Sequence, residues 1–224
     1  MSKTVLERRW LDTRCELRKA TDGRPVLEGY ASVFDSRSEN LGGFTEEVAS
    51  SAFTKTIKDG ADVRALLNHD PNFVLGRSTS QTLRLAVDST GLHYEVDLGE
   101  QTYARDLAIS LERGDINQSS FGFRTIKDDW AEDEVNPGLL FRTLLEVHLM
   151  DVSPVTYPAY LDASSGITSR ALAAFNESRG VEADTIADVN KIILPTIEPV
   201  AITHYRSDMP SDPRLAMFYA TSRK

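Results

Sequence analysis

Residues 83–98 read LRLAVDSTGLHYEVDL, two runs of alternating apolar and polar residues around a turn that ends at Gly91. Alternation with period two puts successive side chains on opposite faces of a half-buried strand, so this stretch predicts an antiparallel hairpin. The pattern recurs on both sides. Leu11, Thr13, Cys15 and Leu17 form one face of a strand over 11–17, TDGRP (21–25) is a turn, and VLEGYASVF (26–34) is a second strand in which Gly29 marks a bulge or a close approach. After the polar loop DSRSENLGG (35–43), SSAFTKTIKDG (50–60) predicts a short helix, capped by Ser50 or Ser51 and ended by Gly60. DVRALLN (62–68) predicts a strand whose parity puts Val63, Ala65, Leu67 and His69 on one face, just before Asp70-Pro71 breaks it.

Residues 102–113 carry Ala104, Leu107, Ala108 and Leu111 at the spacing of an amphipathic helix, and Gly114 stops it. INQSSFGFRTIK (116–127) is the next strand, DDWAEDEVNPG (128–138) an acidic loop, and LLFRTLLEVHLMDV (139–152) a long strand ended by Ser153-Pro154. Strands far outnumber helices and no βαβ rhythm appears. The fold class is therefore mainly β with flanking helices (α+β), a mixed antiparallel sheet or barrel.

The chain has 224 residues, 41% hydrophobic and 26% charged, which suits one main domain and an appendage. Past Asp162 the periodicity weakens, and Pro195, Pro199, Pro210 and Pro213 punctuate the end. The expected division is a domain over 1–165 and a partly helical or disordered tail over 166–224. From Gly166 onward seven basic and seven acidic groups balance, so the net charge of −9 belongs to the first part. That acidity disfavours non-specific nucleic-acid binding. No apolar run approaches a membrane span, the charged first twenty residues predict no secretory leader, and the single Cys15 fits a reducing compartment.

Metal and nucleotide chemistry find little support. His69, His93, His148 and His204 form no HExxH motif. His93-Tyr94-Glu95 matches half of a zinc-deaminase signature without its cysteine pair, and neither a P-loop nor GxGxxG occurs. No metal and no cofactor is expected. Hydroxyl chemistry has one convergent set: His69 near a strand end, Ser120 in a strand and an acid in the following strand. A serine needs a base to take its proton and a third group to orient that base. The G-x-S-x-G elbow is absent because Gln118 stands at its first glycine, and the order His, Ser, acid matches neither α/β-hydrolases, chymotrypsin nor subtilisin. On the residues alone, His69 beside Asp-Pro also reads as a solvated loop residue, and Ser119 and Ser120 as small polar residues of a strand. Parity puts Ser120 with Gln118 and Gly122, and Ser119 with Phe121 and Phe123.

Several ordered blocks carry a resemblance: GYASVF (29–34), SENLGGFTE (38–46) followed by SAF, DVRALLNHDPNFVLGR (62–77), TLRLAVDSTGLHYEVDL (82–98), RGDINQSSFGFR (113–124) and LLEVHLMDVSPVTYPAY (144–160). Together they resemble the prohead proteases of tailed bacteriophages, serine peptidases of capsid maturation. The resemblance implies an antiparallel β-barrel of the herpesvirus-protease type, a catalytic His69, and a nucleophile at Ser120, which opens Ser-Phe-Gly-Phe. The family's third residue, usually Glu, falls on Asp151. Parity groups Asp151 with Val147 and Leu149, as suits a buried acid, and puts Glu146, His148 and Met150 on the other face. Glu146 and His148 are the alternatives, the latter because herpesvirus enzymes use a second histidine. Gly122 is expected to give substrate room. The implied partners are the phage major capsid protein and its scaffold domain, with possible self-association and without nucleic acid or membrane. The implied setting is the host bacterial cytoplasm, inside the assembling prohead, with a phage or prophage gene. The tail is a candidate for self-removal or shell docking. Competing readings are a non-catalytic capsid-assembly or scaffold protein that keeps the fold, against which both His69 and Ser120 stand, and another hydrolase such as an esterase.

Overall fold

A computed structural model describes residues 6–9, 13–41 and 43–157. In chain order its elements are β1 (Glu7–Arg9), β2 (Cys15–Lys19), β3 (Pro25–Val33), β4 (Phe44–Val48), α1 (Thr54–Lys58), β5 (Arg64–Leu66), β6 (Val74–Arg77), β7 (Leu83–Val87), β8 (Gly91–Asp97), α2 (Thr102–Arg113), β9 (Gln118–Glu132) and β10 (Leu140–Val155). The expected tail over 166–224 and residues 11–12 of the first predicted strand lie outside the described residues.

Two sheets result. One orders β2-β3-β8-β7, every pair antiparallel, and contains the predicted hairpin in register from Leu83↔Val96 to Val87↔Leu92. The other orders β1-β9-β10-β5-β6, with β4 also on β10. Among the described residues these sheets do not close into the expected barrel, and β10 pairs in parallel with both β4 and β5, so the mainly β fold is built of two sheets, one of them mixed. The parallel pairs arise because the chain returns through loops and α1 between β4 and β5, both of which run with β10. One apolar cluster joins the sheets: Leu27, Leu92, Tyr94 and Val96 from one, Phe121, Phe123, Leu149 and Val152 from the other, with Phe53 edge-on to Phe121 at 5.4 Å. Burying each large apolar side chain stabilises by about 1.5–3 kcal/mol. Helix α2 adds Ala104, Leu107 and Leu111, the face that its periodicity predicts.

The sheets meet at Arg14, bridged to Gln118, and there Gly29 is a close approach as expected: a Cβ would stand 2.5 Å from the Arg14 carbonyl oxygen. Three local expectations fail for physical reasons. Helix α1 starts at Thr54 after Phe53, without a side-chain cap; Ser51 instead donates to the Leu145 carbonyl at 3.3 Å. The acidic stretch 128–132 is strand, because Trp130 packs on Phe44 (5.2 Å) while Arg142, directly across, binds Asp128 at 2.7 Å and faces the indole ring. Strand β10 runs through Ser153-Pro154, since its pairing with β5 ends at Val152↔Ala65 and no parallel partner needs the missing N–H. Strand β6, in FVLGR, has no counterpart among the sequence expectations.

Candidate active site

Ser120, His69 and Asp151 come from three different elements. Ser120 lies in β9, where Phe121 and Phe123 face the core and Ser120 the other way, as parity predicts. Ser119, on the core side, shares a 2.7 Å hydrogen bond with the Tyr94 hydroxyl. Burial raises the Tyr94 phenol and the neighbouring Cys15 thiol above their ordinary values, so a neutral hydrogen-bonded cluster backs the strand.

His69 is not the end of a strand. β5 stops at Leu66, and both Asn68 (φ 54°) and His69 (φ 58°) are left-handed. Asn and His are among the non-glycine residues that tolerate this region best, but each such residue still costs of order 1–3 kcal/mol. The turn is held against the end of β10: Asn68 N–H donates to the Pro154 carbonyl (3.0 Å), and the Asn68 side-chain oxygen accepts from Thr156 N–H (2.8 Å). Side-chain direction is thus set by two φ values and this clasp, not by the alternation read from the sequence.

Asp151 also reaches the site by a departure from alternation. Leu149 stands opposite Phe123, yet Asp151 stands opposite Gly122, so β10 carries one extra residue between them. This bulge moves Asp151 off the face of Leu149 and onto that of Gly122 and Ser120, whereas strict parity would have aimed it into the core. Gly122 makes the space. A Cβ there would lie 2.2 Å from Asp151 Oδ2, so the glycine accommodates the carboxylate, rather than substrate as expected. Gly122→Ala is expected to destabilise the fold by about 1–3 kcal/mol through overpacking and to displace Asp151, a change read by thermal melting.

The three side chains form one line. His69 Nε2 is 2.7 Å from Ser120 Oγ, and His69 Nδ1 is 2.5 Å from Asp151 Oδ1. Ser120 is fully buried, and His69 and Asp151 are each 6% exposed, so these contacts are shielded from water. Ser153, quoted in the sequence blocks without a role, donates its hydroxyl to Asp151 Oδ1 at 2.8 Å. It lies two residues along β10 from Asp151, a spacing that shares a face and could have signalled the contact. Glu146 and His148 are elsewhere: Glu146 is paired with Lys55 at 3.1 Å, and His148 is exposed opposite Arg124. His93 is half-buried against the Tyr30 ring, and His204 lies outside the described residues. Chemically, the line can take the Ser120 proton onto Nε2 while the carboxylate holds the proton on Nδ1.

A family model described as caudovirus prohead serine protease matches residues 11–178. The chain belongs to that family. The prohead protease family places it among enzymes of capsid maturation. Among solved structures, the capsid assembly protease gp21 of bacteriophage T4 is similar, at 13% identity over 67% of this chain and 96% of that chain, with a TM-score of 0.43. Comparison with curated proteins finds no match.

Proposed function

We propose that this prohead protease is a serine endopeptidase in which Ser120 attacks the scissile peptide carbonyl. His69 takes the Ser120 proton and returns it to the leaving amine, and Asp151 fixes the imidazole tautomer and stabilises the imidazolium. The observation that supports this reading is the unbroken hydrogen-bonded line from Asp151 Oδ1 through both ring nitrogens of His69 to Ser120 Oγ. The substrates are scaffold and capsid protein of the phage, and the chain itself within the tail over 166–224, cleaved inside the prohead as it assembles in the host cytoplasm.

Co-expression with a capsid protein that carries its scaffold region tests this. Wild type and Ser119→Ala cleave the partner and Ser120→Ala leaves it intact; unimpaired cleavage by Ser120→Ala would sink the assignment. Intact masses of wild type and Ser120→Ala under the same conditions report self-processing, and equal full-length masses would count against it. Ser153 acts on the reaction through Asp151. Losing its hydrogen bond to a charged group, worth about 1.5–3 kcal/mol, should lower kcat in Ser153→Ala by roughly tenfold or more. The change should appear in kcat with little effect on KM, and Ser153→Thr should recover most of it.

A further inference from the structure

The hydroxyl of Ser120 has a second partner: it donates to the backbone carbonyl of Arg9 at 2.9 Å. A serine has one proton to give. While that proton points to Arg9, it is withheld from His69 Nε2, and the Arg9 carbonyl fills the space beside Oγ that a scissile carbonyl must enter. Arg9 belongs to β1, a three-residue strand at the edge of its sheet, paired antiparallel with the Ser120-bearing strand from Glu7↔Phe123 to Arg9↔Phe121. The chain meets β9 again beyond the serine, where Thr13 Oγ1 donates to the Ser119 carbonyl and Arg14 bridges Gln118. Ser120 is consequently fully buried. No peptide can reach Oγ unless β1 moves.

The side chain of Arg9 is placed as a recognised side chain would be. Its guanidinium binds both oxygens of Glu46, at 2.7 and 3.1 Å, and lies 5.5 Å from the centre of the Phe123 ring. It is 4% exposed. Beside the exposed Arg8, β1 brings two buried charges of opposite sign, Glu7 and Arg9; without them Arg142 still holds Glu46 (3.0 Å) and Asp128 (2.7 Å). Departure of β1 therefore leaves Glu46 paired and exposes an unpaired edge of β9, the feature to which extended peptides add as a strand.

We propose that β1 holds the place of substrate: the edge of β9 is the peptide-binding site, an extended peptide displaces β1 from it in the same antiparallel register, and a Lys or Arg side chain enters the Glu46–Phe123 pocket at the residue whose carbonyl meets Ser120. The proposal rests on Ser120 being the nucleophile, and it makes the chain self-inhibited until β1 is displaced.

The full-length protein tests it through the rate at which a small fluorophosphonate modifies Ser120, located by peptide mass mapping. Glu7→Gln combined with Arg9→Met removes one charge of each sign and loosens β1. Modification should be at least about tenfold faster than in wild type, with backbone hydrogen exchange of β9 and β10 unchanged. The synthetic peptide of residues 5–14 should slow it again, and the same peptide with Arg9→Glu should not. A wild-type rate in the folded double variant overturns the proposal, and equal slowing by both peptides overturns the basic pocket. Should the double variant fail to fold, hydrogen exchange of wild type decides. Millimolar peptide is expected to speed exchange at residues 7–9, and unchanged exchange there overturns displacement. If Ser120 stays unmodified even where residues 7–9 exchange freely, the failure lies with Ser120 as nucleophile and takes the proposal with it.

Discussion

Ser120→Ala, His69→Ala and the double variant are expected to lose the same activity, about 10^6-fold in kcat, and Asp151→Asn about 10^4-fold. The equality follows from the shared step. Without the His69 base the serine keeps its proton, and without the serine the base has nothing to activate, so the second loss adds nothing to the first. Asp151→Asn works differently. Asp151 Oδ1 accepts from both His69 Nδ1 and Ser153 Oγ. An amide turned so that its NH2 meets His69 donates to Nδ1, drives the ring proton to Nε2 and leaves no lone pair for the Ser120 hydroxyl. Single-turnover cleavage of a scaffold-derived peptide measures all four variants. Losses that multiply in the double variant would show that Ser120 and His69 act independently, and full activity in Asp151→Asn would remove Asp151 from the mechanism.

Much of this site was legible in the sequence, though in part by reasoning that the structure replaces. For Ser119 and Ser120 strict alternation holds, because the extra residue between Phe123 and Gly122 lies in β10 and β9 itself carries none back to Gln118, so parity separates the two serines correctly. For His69 and Asp151 it does not hold. A pair of left-handed residues turns His69, and one extra residue in β10 turns Asp151. Neither departure has a composition signal: Asn68 tolerates positive φ without requiring it, and Leu149-Met150-Asp151 reads as ordinary strand. The blocks resembling the family named both residues where periodicity could not. Helix α2 and the hairpin of β7 and β8 were legible because their signals are local, whereas the parallel pairing of β10 with β4 and β5 depends on partners some 90 residues away, for which the sequence carries no local mark.

The same distance hides the ion cluster beneath β1, where the largest effect on stability is expected. Arg142 Nη1 lies 2.8 Å from Glu7 and 3.0 Å from Glu46, and its side chain is 6% exposed. In the sequence the three are separate charged residues, of which only Arg142 lies in a predicted strand. Arg142→Ala leaves both carboxylates buried with Arg9 as their one remaining guanidinium, and breaking a buried pair in this way costs about 3–5 kcal/mol. For a chain of this size that corresponds to a fall in Tm of roughly 10 °C. The loss should depend on pH, with a sign that Glu7 sets. Burial pushes the Glu7 carboxyl up, but the hydrogen bond from Arg142 and the charges of Arg9 and Arg142 outweigh it and hold the group below its ordinary 4.5. In wild type the folded state therefore binds this proton more weakly than the unfolded state. Glu7 contributes stability that is fully present above about pH 4.5 and is lost as pH falls through the lower folded value. Removing Arg142 takes away the first of the lowering causes, so the gap between wild type and Arg142→Ala should be widest near neutral pH and narrow in acid, where a protonated Glu7 no longer needs its partner. Melting curves of both proteins from pH 7 down to about 3.5 measure it; a gap that stays constant over that range would mean that Arg142 stabilises by packing on Trp130 rather than by its charge.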